Sequence, residues 1–216
     1  MHRSYALEKK WLQMSVFGGL LFAILGIILG LLIQSQMVLF DGLYSFISVI
    51  LSLLSLLAAQ VIEKGDKSRF PYRKDMLEPV VIIIKYVAIL LLCVTAIYSA
   101  FEALLSGGRE TNVSYALLYS LISTVGCWGM YIFLKKHKKN SGLIGAEANQ
   151  WRMDTLLSAA VLVGFFIAVA LSFTSYTSVI PYIDPLMVLV AAGYFLKIPV
   201  VEITRALKQM KWHPVN

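Results

Sequence analysis

The sequence predicts an all-α membrane protein, a bundle of six transmembrane helices, and three observations carry that prediction. Hydrophobic residues make up 59% of the chain and the mean hydropathy is +0.77, outside the range of soluble domains. Charged residues amount to only 14%. They gather between apolar runs, each long enough for the ~20 residues a bilayer crossing needs. Two carboxylates, Asp41 and Asp154, nevertheless sit inside such runs. A carboxylate there costs several kcal/mol unless it faces a cavity, a partner or an ion.

The spans fall at roughly 11–34, 37–62, 79–105, 112–134, 147–174 and 184–207. They form one transmembrane domain over 11–208, with a short segment 1–10 before it and a tail 209–216 after it. No cytoplasmic domain is expected, since no soluble domain of ordinary size fits the remainder. The first span is too long for a cleavable signal and lacks a small-residue cleavage site. Its Gly18, Gly19, Gly26 and Gly30 form a small face, Gly26 and Gly30 at GxxxG spacing, which suits packing within the molecule. The second carries Asp41, Ser45, Ser48, Ser52 and Ser55, offsets that trace one helix face. The polar stretch Glu63 to Glu78 ends at Pro79, which suits the start of a helix, and Lys85 is expected to snorkel. Cys93 and Cys127 fall mid-span and are expected to act as small hydrophobes. The fourth span ends in Lys135-Lys136-His137-Lys138-Lys139, with His137 expected at the solvated surface.

In the fifth span Gln150, Asp154 and Ser158 share one face at i, i+4 and i+8. Arg152 cannot pair locally with Asp154, because residues two apart point to different faces. The sixth begins Pro181-Tyr182-Ile183-Asp184-Pro185, where Asp184 is expected as N-cap and Pro185 in the first turn. Pro199 should kink that helix near its end.

Charge sets the orientation. Arg3, Lys9 and Lys10 precede the first span, Lys64 to Lys74 holds five basic residues, and Lys135 to Lys139 four. Arg205, Lys208 and Lys211 follow the sixth. The three opposite connections contain only Arg109. The positive-inside rule therefore puts both termini in the cytoplasm, in a bacterial inner membrane. The net charge of +7 is accounted for by topology and anionic lipids, so nucleic acid is not an expected partner. No Ser/His/Asp, Cys/His or HExxH constellation suggests an enzyme, and no cofactor is expected.

Four segments in order resemble the cation diffusion facilitator (cation efflux) family, six-span exporters of divalent metals in exchange for protons. Leu39-Phe40-Asp41-Gly42-Leu43-Tyr44-Ser45 resembles the Asp-x-x-x-Asp segment of the family's second helix. Phe70 to Glu78 is similar to the approach to the third. Ala146-Glu147-Ala148-Asn149-Gln150-Trp151-Arg152-Met153-Asp154 stands where the family has Ala-Asp-x-x-His-x-x-x-Asp, and Ile183-Asp184-Pro185 resembles the start of helix six.

The resemblance implies a metal site of Asp41, Ser45, Gln150 and Asp154, in which two of the family's ionisable ligands are replaced by neutral groups. An all-oxygen set favours a hard divalent ion such as manganese or magnesium, with zinc still open. Proton coupling then falls to the two aspartates. The family also implies a homodimer, and usually a further cytoplasmic domain that binds metal. The alternatives are a relative altered towards a monovalent cation, and a non-transporting membrane subunit. Counted from the span boundaries, Asp41 and Asp154 differ in depth by more than ~10 Å. A shared site therefore requires the fifth helix to begin earlier, near Leu143.

Overall fold

The computed structural model describes residues 2–64, 73–137 and 142–211, and among these there are helices and no strands. The helices are α1 (His2–Leu32), α2 (Gln36–Lys64), α3 (Arg73–Leu105), α4 (Val113–His137) and α5 (Gly142–Ser172). A single 3-10 turn, Thr177–Val179, leads into α6 (Ile180–Phe195) and then α7 (Lys197–Lys211). The basic connection 65–72, the run 138–141, the tail 212–216 and the side chains of Ser52, Ser55 and Lys85 lie outside the described residues.

Five helical stretches among the described residues are long and apolar enough to cross a membrane: Gln13–Leu32, Tyr86–Leu105, Val113–His137, Glu147–Ser172 and Thr177–Arg205. The described apolar part of α2 is the shorter Gln36–Ile50. Phe17, Leu32, Leu105, Phe166 and Val190 are exposed on the outside of the bundle, as expected where lipid replaces water. The interior combines large side chains such as Phe40, Phe165 and Leu134 with small ones, among them Ala96, Ala100, Ala116, Ala191 and Ala192, which let helices approach closely where no hydrophobic effect drives them together.

That close approach is tightest between α1 and α2. A Cβ added to Gly42 would lie 2.6 Å from the Ile27 nitrogen and 2.7 Å from the Gly26 carbonyl carbon. One added to Gly30 would lie 2.6 Å from the Leu39 nitrogen. The Gly26/Gly30 face is therefore used within the molecule, against α2. Gly18 and Gly19 instead border the Trp151 ring of α5.

Four helices begin several residues before the expected spans, α1 at His2, nine residues before 11. Helix α3 begins at Arg73, six residues before Pro79, because Lys74, Met76, Leu77 and Glu78 are good helix formers. Helix α5 begins at Gly142, five residues before the expected 147. The sixth span starts at Ile180 and is divided at Leu196. Pro199 has no N–H for the Phe195 carbonyl, so the helix is interrupted one turn before the proline. His137 is also not simply solvated: its ring lies 4.1 Å from that of Trp11 and 5.0 Å from that of Phe133. It thereby ties the end of α4 to the start of α1.

Candidate functional site

Helices α1, α2, α4 and α5 enclose a polar cavity of about 40 Å³, several times the roughly 10–15 Å³ that one water needs. All four residues implied by the sequence, Asp41, Ser45, Gln150 and Asp154, line it. Asp41 is buried while Asp154, Ser45 and Gln150 are half-buried, and the two carboxylates interact electrostatically.

Antiparallel helix register brings them together. Asp41 is five residues into α2 and Asp154 twelve residues into α5. At 1.5 Å per residue these are depths of about 7.5 and 18 Å from opposite ends, together close to the ~30 Å of a hydrocarbon core. The early start of α5 at Gly142 supplies the extra depth. One turn further towards the termini, the Gln150 amide Nε2 donates to Ser48 Oγ at 2.6 Å, which pins the two polar faces to each other.

Helix α4 supplies a wall that sequence reasoning missed. Tyr119, Ser123 and Cys127 line the cavity at i, i+4 and i+8, the same spacing that marked α2 and α5. Ser123 Oγ is 3.0 Å from Ser158 Oγ and 4.0 Å from Cys127 Sγ. Cys93 is a buried core residue on α3, as expected. Cys127 is likewise buried in a hydrophobic cluster with Leu134, Ile144, Ala148 and Trp151, and it borders the cavity as well. Tyr119 Oη lies against α1, 2.6 Å from where a Gly26 Cβ would be.

A further carboxylate, Glu147, lines the end of the cavity nearer the termini. Ser15 Oγ of α1 donates to Glu147 Oε2 at 2.5 Å and accepts from Trp151 Nε1 at 2.7 Å. Ser15 and Trp151 are both buried. Arg152 is exposed and points away from this chain of bonds. Trp151→Phe should therefore cost about 1 kcal/mol for the buried hydrogen bond, plus a packing cost where the outer indole ring borders Gly18 and Gly19, and lower the thermal midpoint in detergent.

Among the described residues no three His, Cys, Asp or Glu side chains converge as a metal-binding group. The cavity instead offers Asp41 and Asp154 among neutral donors, with a third carboxylate, Glu147, at its end nearer the termini. Such an arrangement can hold a cation through two charged ligands and let carbonyl, hydroxyl and water oxygens complete its shell.

A bundle of lipid-length helices around a carboxylate-lined cavity is the architecture of an integral membrane protein. The chain belongs to the cation efflux family, whose transmembrane-domain model matches residues 12–210. It is also similar to the uncharacterized transporter YdbO of Bacillus subtilis, 24% identical over 190 residues. That alignment covers 86% of this chain and 62% of the relative, so the chain spans about three fifths of the relative's length.

Proposed function

We propose that this protein is a secondary transporter of divalent metal cations, exchanging them for protons by alternating access. Asp41 and Asp154 are its charged ligands, and Ser45 and Gln150 its neutral ones. The observation that carries this reading is that two aspartates from antiparallel helices line one cavity in a cation efflux fold. The all-oxygen set favours a hard ion such as manganese or magnesium. Both termini lie in the cytoplasm of a bacterial inner membrane under the positive-inside rule. The Glu147 end of the cavity then faces the cytoplasm.

The test is the protein reconstituted in vesicles, with a panel of divalent ions and an imposed pH gradient. Flux of at least one divalent ion, driven by the gradient and reduced to background by Asp41→Ala plus Asp154→Ala, is the expected result. No flux with any divalent ion, or undiminished flux in the double variant, would sink the proposal. The lean charge of the site favours one second reading, transport of a monovalent cation. Sodium or potassium flux that ignores divalent ions would establish it.

A further inference from the structure

At the end of the bundle away from the termini, Asp184 lies buried in α6 at 2% exposure, and the transport reading gives it no task. Its expected part as N-cap of its own helix is not what the structure shows. Helix α6 begins at Ile180, which leaves Asp184 in the second turn with its carboxylate directed at α2. Ser35 Oγ donates to Oδ1 at 2.6 Å, Gln36 N–H to Oδ2 at 3.0 Å and Met37 N–H to Oδ1 at 3.2 Å.

Every orphan donor in the first turn of α2 is thereby accounted for. Gln36 and Met37 bond to Asp184, Val38 N–H to Ser35 Oγ at 3.1 Å, and Leu39 N–H to the Ser35 carbonyl at 3.1 Å. A carboxylate at a helix N-terminus also sits at the positive end of the helix dipole. This cap comes from another helix, so it fixes α2 against α6 as well as closing its end.

Neighbouring groups hold both sides of the contact. Gln36 Nε2 donates to the Ala96 carbonyl of α3 at 2.9 Å. Pro185 has no N–H for the Pro181 carbonyl, and that carbonyl accepts the Arg109 N–H at 2.8 Å. Gly108 allows the approach: its φ is +96°, and an added Cβ would lie 2.5 Å from Pro181 Cβ. Arg109, whose Nη2 donates to Ser99 at 3.1 Å, also acts electrostatically on Asp184.

We propose that Asp184 is a positioning residue of the cation site: it locks the first turn of α2 to α6 and so sets the depth at which Asp41 meets Asp154. Asp41 lies five residues beyond Gln36, about 7.5 Å along a continuous helix. A slip of the capped end therefore displaces its carboxylate by the same amount. The inference rests on Asp41 being a cation ligand.

The test uses the full chain in vesicles with manganese(II) as the probe, beside amide hydrogen exchange over residues 36–41. Asp184→Ala should raise the KM for manganese about tenfold, with a much smaller change in kcat, and speed exchange in that first turn. Asp184→Asn should fall between the wild type and Asp184→Ala, because its one carbonyl oxygen can still accept from Ser35 Oγ and the Met37 N–H, whereas its amide nitrogen cannot accept the Gln36 N–H that Oδ2 takes. A merely structural aspartate would lower the amount of folded protein without this split or this partial rescue. A wild-type KM in Asp184→Ala overturns the proposal. If Asp184→Ala does not fold, Ser35→Ala should raise KM about two- to threefold and speed exchange at Val38; unchanged values overturn the proposal. A wild type that carries neither manganese nor any other divalent ion of the panel removes the ligand reading of Asp41. Exchange then decides the clasp, and unaltered exchange in the variants refutes it.

Discussion

Gly42→Ala should destabilise the bundle by about 2–3 kcal/mol, the usual cost of forcing extra volume into a well-packed interior. Gly129→Ala should stabilise it by up to about 1 kcal/mol, the propensity difference between the two residues in a helix. The opposite signs follow from what each new methyl meets. At Gly42 it would stand 2.6 Å from Ile27 N and 3.0 Å from the Ala23 carbonyl oxygen. Those are backbone atoms of a packed helix and cannot rotate aside. At Gly129 nothing lies within 4 Å. Thermal or denaturant unfolding in one detergent would measure both variants. Equal shifts would show that the α1–α2 crossing is looser than described. Because Gly42 adjoins Asp41, the same strain should weaken cation binding, an effect absent from the Gly129 variant.

The tightness of this crossing was readable in advance from Gly26 and Gly30, because GxxxG spacing is a local pattern. So were the candidate ligands. Asp41 with Ser45, and Gln150 with Asp154, sit one helical turn apart on their own helices, and a stripe is visible without knowing its partner. Which stripes face each other depends on register, and register depends on where helices begin. Apolar content alone started the fifth span at 147, whereas α5 starts at Gly142, and those five residues remove the depth conflict. The α4 wall was legible in principle, since Tyr119, Ser123 and Cys127 repeat the same spacing. Tyrosine, serine and cysteine are each ordinary in membrane helices, so no energetic anomaly singled them out as it did the aspartates.

Asp184 was misread for a different reason. The string Ile183-Asp184-Pro185 has the local form of a capped helix start, yet the donors it satisfies lie almost 150 positions away, at Ser35, Gln36 and Met37. Hydrogen bonds of such separation leave no periodic trace in one sequence. The Pro199 interruption, by contrast, follows from a missing N–H within the same helix, and the expected kink is found at Leu196.

Ser45→Asp combined with Gln150→His should convert the site to zinc. Both positions line the cavity with Asp41 and Asp154, and they are where the resembling family carries its other ionisable ligands. The substitutions complete a set of three carboxylates and one imidazole, and imidazole suits zinc better than an amide oxygen does. Adding one negative charge beside a divalent ion in a partly buried site is worth several kcal/mol before desolvation. Zinc affinity should therefore rise about a hundredfold or more, with a smaller gain for manganese. Removing the Gln150 amide also breaks its bond to Ser48, so Gln150→His alone should gain less than the pair, and Ser45→Asp alone should favour hard ions. Calorimetric titration of the four proteins with zinc and manganese separates these effects. If the double variant binds zinc no better than the wild type, then Ser45 and Gln150 share a cavity with the aspartates without sharing an ion. The transport site would then rest on Asp41, Asp154 and the α4 wall instead.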